Sequence, residues 1–395
     1  MRGFTDTHRI LHVGSIPVPD IVRHTGTPVY IYDLDEVTRR VHAYQHAFPD
    51  ALLAYACKAN ANPALLSHLA RLGCGADVVS GYELQRALAA GIPPNKIVVN
   101  GNAKSRWEIE LAVQVQVRAI NLDAPEEVER VARVAEAMGH PASVALRINP
   151  GLDPATHPHL KVGAPGSHFG IPPEDVIPTA RAVMEHPSLN LRGIHIHAGS
   201  LFLRLEDVEA VAAVAVNWVR RLRSAGIPVH EMNLGGGLGI DYEGRSTLTP
   251  EHVATRWAPH LEGLDVTLVV EPGRWLVAPA GILVVQVVQV KRAWGRTFVA
   301  VDGGMNALLR PALYGARHRI VPVQADEETH RVDVVGPNCE SADVLGRDYL
   351  LPPLQEGDLL AILDVGAYGR SMANTYNARP LPPEVVVEQG RWRWA

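Results

Sequence analysis

From Ala51 to Glu271 the chain alternates short apolar runs with segments whose apolar residues recur at the helical period, and this constrains its fold more than anything else in it. The runs are Ala51 to Cys57, Ala76 to Val79, Lys96 to Asn100, Val117 to Asn121, Ala142 to Asn149, Leu191 to His197, Val229 to Leu234 and Asp265 to Glu271. Amphipathic stretches such as Pro63 to Arg71, Tyr82 to Ala90, Ala124 to Met138 and Leu205 to Ala225 lie between them. Eight buried strands separated by helices is the count of a parallel β/α barrel of the TIM type.

After Pro272 the pattern changes. Gly281 to Lys291, Thr297 to Val301, Arg319 to Val323, Arg331 to Val335, Asp358 to Leu363 and Glu384 to Glu388 read as strands separated by Gly, Pro and Asp turns, with no helix between them. The expected fold is therefore α/β: a (β/α)8 barrel over 33–275 and a mostly antiparallel β sandwich or barrel over 276–395. The N-terminal segment 1–32 would lend a strand to that β domain, because the run Thr27 to Asp33 is β-branched and aromatic.

At 395 residues and 47% hydrophobic content the chain can bury two cores. A net charge of -5 provides no basic field for nucleic acid or anionic lipid. Cys57, Cys74 and Cys339 are too few for a disulfide framework and suit a reducing compartment. The N-terminus lacks a continuous apolar core, and no apolar run approaches the roughly 18 residues that span a bilayer. A cytoplasmic protein with no membrane partner is expected.

Barrel active sites lie at the C-terminal ends of the strands, and phosphate sites favour the loops after the last two. Lys58 follows the first strand, where a desolvated amine can serve as a nucleophile toward a carbonyl; its structural reading is a lysine that snorkels from the barrel mouth. Asp77 lies on the second strand. The glycines Gly235, Gly236 and Gly237 follow the seventh, where bare backbone amides can approach a phosphate, although a tight turn alone would ask for the same residues. They do not fit the dinucleotide fingerprint, whose third glycine falls on Ile240 or Tyr242 according to register. His195 and His197 are spaced as a metal pair on a strand, or as one imidazole flat on an aromatic cofactor with the other packed beneath it. The metal reading lacks further ligands, so no metal is expected. Glu271 ends the eighth strand with Arg274 three residues on, as an acid for a cationic heterocycle beside a carboxylate fork, or as a salt bridge closing a turn.

A carbonyl-reactive lysine, a phosphate cradle, a stacking histidine and an acid for a ring nitrogen together describe pyridoxal 5'-phosphate chemistry. The chain also resembles the fold-type III pyridoxal phosphate-dependent decarboxylases. The matching stretches are YACKAN (Tyr55 to Asn60), CGADVVSGYEL (Cys74 to Leu84), GNAKS (Gly101 to Ser105), HIHAGS (His195 to Ser200), LGGGLGI (Leu234 to Ile240), EPGR (Glu271 to Arg274), RPALYGA (Arg310 to Ala316), GPNCESAD (Gly336 to Asp343) and the tyrosine loop from Gly366 to Val385.

The resemblance implies that Lys58 carries the cofactor as an internal aldimine, that His197 stacks on its ring and that Glu271 keeps its nitrogen protonated. Asp77, Gly273 and Arg274, within the same matched motifs, would also bind the cofactor. Ser200, the Gly235 to Gly237 amides and Tyr368 would hold the phosphate. Arg274, Arg310, Tyr314 and Tyr368 would line the substrate site, the first three as a clamp for a remote carboxylate. Glu340 would take a remote ammonium. Cys339 would protonate the substrate carbon, supplied by the partner in a homodimer with shared sites. The implied reaction is decarboxylation of meso-2,6-diaminoheptanedioate at its D centre to give L-lysine and CO2. His168 and Leu201 depart from the family pattern in two loops. Other basic, D- or carrier-bound amino acids are alternative substrates, a metal-dependent barrel hydrolase is the alternative from the HxH spacing, and a cofactor-binding regulator without catalysis is a third reading. Racemase chemistry is disfavoured, since it generally pairs the ring nitrogen with arginine.

Overall fold

The computed structural model describes residues 4–7, 10–152, 163–164, 166–243, 248–324 and 329–395. The chain divides into two compact units: Met1–Arg40, Ile240–Ser246 and Arg274–Ala395 form one, Val41–Gly239 and Thr247–Gly273 the other.

The second unit is the expected barrel. Its strands are β1 (Leu52–Ala56), β2 (Gly75–Val78), β3 (Ile97–Val99), β4 (Ala119–Leu122), β5 (Ala142–Arg147), β6 (Leu189–His195), β7 (Glu231–Asn233) and β8 (Thr267–Val270). They pair in sequence order, and β8 pairs with β1 to close the sheet. All eight pairings are parallel.

Local chemistry sets where the crossover helices begin. Asn62 accepts from the amides of Ala64 and Leu65 and places Pro63 at the first helical position, so the helix Pro63–Arg71 starts there. Ser80 caps Gly81–Ala89 in the same way. Reciprocal capping boxes open Arg106–Gln114, with Ser105 and Glu108, and Pro250–Leu261, with Thr249 and His252. Gly139, at φ 66°, closes Glu127–Met138 through a left-handed turn.

Strand β6 contains a register shift between Leu191 and Gly193. A Cβ at Gly193 would run into the Glu231 carbonyl of β7, so this strand crossing admits only glycine. An inserted residue reverses which face the following side chains occupy, and this is how His195 comes to point inward. The strand ends at His195; His197 lies just beyond it.

The other unit holds a three-stranded antiparallel sheet (Phe4–Thr7, Ile10–Val13, Ile16–Pro17) and a nine-stranded, mostly antiparallel sheet. The long strand Gly281–Ala293 is its spine: its first half pairs with Val29–Asp33 and Leu359–Ile362, its second half with Arg296–Val301. Val29–Asp33 also runs parallel to Glu384–Glu388. The core gathers Val13, Ile21, Val29, Ile31, Ile282, Val284, Ala361, Val385 and Val387, all fully buried.

The three strands of the N-terminal sheet escape the sequence reading, and so do two of the nine-stranded sheet. Val344–Leu351 is interrupted in pattern by Gly346-Arg347-Asp348, with Asp348 at φ 57°, and Arg391–Trp394 alternates arginine with tryptophan at the sheet edge. The region is also not free of helix, since Arg274–Val277 and Arg310–Tyr314 are short helical turns. Four or five residues carry too little periodicity to reveal a helix. Among the described residues no helix is long and apolar enough to cross a membrane.

Candidate active site

The chain leaves β1 at Ala56 and makes a single helical turn, Cys57–Ala59, that carries Lys58. Three contacts fix this turn. Tyr55 Oη donates to the Asn60 carbonyl at 2.9 Å, Asn60 Oδ1 accepts the Asn62 amide at 3.0 Å, and Asn62 caps the following helix. Gly273 packs against the turn from just beyond β8, where a Cβ would stand 3.1 Å from those of Ala56 and Ala59. Lys58 Nζ donates to Asp77 Oδ2 at 3.1 Å, with the lysine one-third exposed and the aspartate fully buried.

A chain of buried polar groups continues from Asp77 around the barrel. Asn100 Nδ2 donates to Asp77 Oδ1 at 2.7 Å and to Glu271 Oε1 at 3.0 Å. Asn100 Oδ1 accepts from Asn121 Nδ2 at 2.8 Å. Glu271 Oε1 also accepts from Asn233 Nδ2 at 2.7 Å, and its Oε2 lies 3.1 Å from His195 Nε2. Burial opposes ionisation of Glu271, but its contact with His195, with the Lys58 amine beyond, outweighs it and holds the carboxyl well below its ordinary range. Asp77 moves the other way: burial and the Glu271 charge raise it, against the pull of Lys58 and Asn100.

The glycine turn follows β7 at the same mouth. Gly235 (φ 62°) and Gly237 (φ 110°) need conformations that glycine alone adopts freely. A Cβ at Gly235 would stand 2.7 Å from the Ile196 carbonyl, and one at Gly237 would stand 2.6 Å from the Phe202 ring. The Gly235 amide is already committed to Asn233 Oδ1 at 2.9 Å, so that glycine supplies the turn and not a free donor. The Gly236 amide points at His197 Nδ1 at 3.4 Å. Burial, helped by Lys58 and Arg147, holds His197 well below its ordinary pKa, so the ring is neutral and its hydrogen sits on Nε2. Ser200 sits in the adjoining loop, where Phe202 pairs with Leu238.

The other unit carries a second cluster. Arg274 Nη1 donates to Tyr242 Oη at 2.7 Å, and its guanidinium lies 4.7 Å from the Tyr368 ring centroid. Arg310 lies 4.6 Å from the Tyr242 ring centroid. Both arginines are buried, and Tyr314 lies near enough to Arg274 to act on it electrostatically. His318 Nδ1 meets the Leu363 carbonyl at 3.0 Å, which fixes the tautomer and leaves Nε2 to accept from Arg310 Nη1 at 2.7 Å. A guanidinium pair packed against phenol rings is a fork for an anionic oxygen pair.

Cys339 and Glu340 are exposed in this unit, on a loop pinned from behind. Asp343 accepts from the amides of Met305 (2.6 Å) and Asn338 (2.7 Å) and from Asn338 Nδ2 (2.8 Å), while Cys339 N–H donates to Asn377 Oδ1 at 2.8 Å. A Cβ at Gly304 or Gly336 would collide with the Asp343 carboxylate.

Residues 34–278 match the family model of the pyridoxal-dependent decarboxylases, pyridoxal binding domain. The chain is 40% identical to the diaminopimelate decarboxylase of Archaeoglobus fulgidus, over 98% of this chain and 94% of that one, and 38% identical to that of Zymomonas mobilis over the same shares. The chain belongs to the diaminopimelate decarboxylase family. Among solved members of that family, the Helicobacter pylori enzyme complexed with L-lysine superposes with a TM-score of 0.92 at 38% identity, covering 95% of each chain. The M. jannaschii diaminopimelate decarboxylase in complex with L-lysine gives 0.95 at 35% identity, covering 99% of this chain and 94% of that one.

The diaminopimelate decarboxylase motifs thus fall into two sets in this chain. Lys58, Asp77, His197, Gly235, Gly236, Glu271 and Gly273 gather at the barrel mouth, and Arg274, Arg310 and Tyr368 gather around Tyr242. The sequence reading missed Asn100, Asn121 and Asn233, which bind the carboxylates to one another, and did not foresee that His195 meets Glu271. Their signal was positional: each ends or nearly ends a barrel strand, where a buried polar residue needs a partner. It also missed Tyr242 and His318, which no barrel rule could place.

His197 and His318 are buried enough to be held neutral, burial being the larger cause at each. Below about pH 6.5 the unfolded chain binds protons that the folded chain refuses, so stability falls as pH falls, by up to about 1.4 kcal/mol per pH unit for each ring. In the His318→Gln variant half of that slope should vanish. Urea unfolding of both proteins at pH 7.5 and 5.5 measures it.

Proposed function

We propose that the chain catalyses the pyridoxal phosphate-dependent decarboxylation of meso-2,6-diaminoheptanedioate to L-lysine and CO2. The observation that carries this is the barrel mouth, where an amine paired to a buried carboxylate is joined through Asn100 to a second carboxylate held ionised. The residues fit the cofactor on two independent grounds. Lys58 offers an amine for an aldehyde, and Glu271 offers an anion to a ring nitrogen.

When bound, pyridoxal phosphate supplies an electron sink for the bond that loses CO2. Lys58 would hold the cofactor through its aldehyde carbon, with Asp77 orienting the amine. Glu271 would keep a proton at the ring nitrogen, and neutral His197 would stack on the ring. Ser200 and the Gly235 to Gly237 turn would take the phosphate. Arg274, Arg310 and Tyr314 grip the substrate's remote carboxylate, and Glu340 takes the remote ammonium. Cys339 Sγ delivers the proton to the substrate carbon from the β domain of a partner subunit in a homodimer. Three free thiols, two of them buried, suit a cytoplasmic enzyme.

The test is CO2 release from meso-diaminoheptanedioate, lysine, ornithine and arginine in parallel. Release from the first alone is expected; release only from ornithine or arginine would overturn the substrate while leaving the cofactor in place. Replacing Cys339 with Ala should lower turnover about 10²-fold, the usual contribution of a positioned acid, with the cofactor's visible absorbance unchanged. Full activity in that variant would remove Cys339 from the mechanism.

A further inference from the structure

We propose that Asn100 is a positioning residue that ties the lysine's carboxylate, Asp77, to the ring-nitrogen carboxylate, Glu271, so that the two ends of the cofactor are set by one amide. The inference rests on the cofactor reading of Lys58 and Glu271 and extends it to the residue that bridges their carboxylates.

The geometry leaves that amide one orientation. Asn121 Nδ2 donates to Asn100 Oδ1, which marks that atom as the oxygen and turns both Nδ2 hydrogens toward the carboxylates. The side chain is buried, as are Asp77, Asn121 and Glu271, so no water is on hand to replace a lost donor. Each carboxylate has other support. Asp77 has Lys58, and Glu271 has Asn233 and His195. Asn100 donates to both.

Two buried carboxylates that share a pocket repel, and one tends to take up a proton. Here the charged and titratable groups acting on the pair are Lys58, His195 and His197, with Glu83 and Cys57 beside Asp77. A neutral side chain with two donors is the one bridge that supports both anions without adding charge. An aspartate would add a third anion, and a lysine or histidinium would draw one carboxylate away from its task. With Asn100 gone, Asp77 is the group that takes the proton, because burial and Glu271 already raise it. The positive charge at the Lys58 nitrogen then loses its partner.

The experiment uses the purified holoenzymes of Asn100→Leu and Asn100→Ser. Leucine keeps the volume and removes both donors; serine keeps one. Three quantities are read: the pH midpoint of the cofactor's visible band, the ¹⁵N shift of a ring-labelled cofactor, and cofactor affinity. Asn100→Leu should lower the midpoint by about one pH unit, move the ring nitrogen toward its unprotonated shift and weaken cofactor binding about tenfold, the loss expected for one charge-assisted hydrogen bond. Asn100→Ser should fall between it and the native protein. A residue that merely filled space would lower the melting temperature and leave all three where they were, and that result in either variant overturns the proposal. Should the leucine variant fail to fold, the serine variant decides by the same readouts. Failure of the underlying cofactor reading is separate: borohydride would then fix the label away from Lys58 in the native protein.

Discussion

Replacing Lys58 with Ala should abolish covalent retention of the cofactor and lower turnover about 10⁵-fold, the scale on which an intramolecular, oriented group exceeds one in solution. Borohydride reduction of the holoprotein followed by peptide mapping should place the pyridoxyl label on residue 58 in the native chain and nowhere in the variant. The expectation comes from how the residue is held. The turn Cys57–Ala59 is locked by Tyr55, Asn60 and Asn62, and the amine is aimed at Asp77, so the nucleophile is held in place. Alanine keeps the helical turn and removes only the amine, so the fold should survive. Label at another lysine would end the mechanism.

Replacing Glu271 with Gln should cut turnover about 10³-fold while Lys58 still retains the cofactor. That loss corresponds to about 4 kcal/mol of transition-state stabilisation. Glutamine is nearly isosteric, and its Oε1 can still accept from Asn100 and Asn233. Its amide would face His195 Nε2, which can accept it by shifting the ring hydrogen to Nδ1, an atom with no partner among the described residues. The fold is therefore expected to persist. What the variant would lose is the anion proposed to keep the ring nitrogen protonated, and the ¹⁵N shift of a labelled cofactor should report it directly. Native turnover in this variant would show that the ring nitrogen needs no acid.

Both positions are legible in the amino-acid order because each sits where a simple rule applies. Lys58 and Glu271 end apolar runs, and a charge at the end of a strand buried on both faces has few reasons to be there. The glycine run is legible as a turn, but its division of labour is not. Only the folded chain shows the Gly235 amide taken by Asn233 and the Gly236 amide directed at His197. His195 reads as half of a metal pair or as packing, since nothing local shows that its ring meets Glu271 on another strand end.

The arginine cluster shows a different limit. Arg274 and Arg310 can be singled out by motif, but the ring between them, Tyr242, belongs to a short stretch separated from both by at least thirty residues of chain. No local pattern encodes a contact of that span.

Apolar spacing was enough to specify the barrel and the second sheet, because periods of 3.6 and 2 state which faces must leave water. It was also enough to mark the strand ends that bear chemistry. How those ends are wired was settled by the folded chain: which amide bridges two carboxylates, which imidazole holds an anion, which aspartate pins the cysteine loop. Burial is a sum over many residues and survives in composition and spacing, whereas a hydrogen bond depends on one donor meeting one acceptor within a few tenths of an ångström, and that is fixed only when the whole chain has closed.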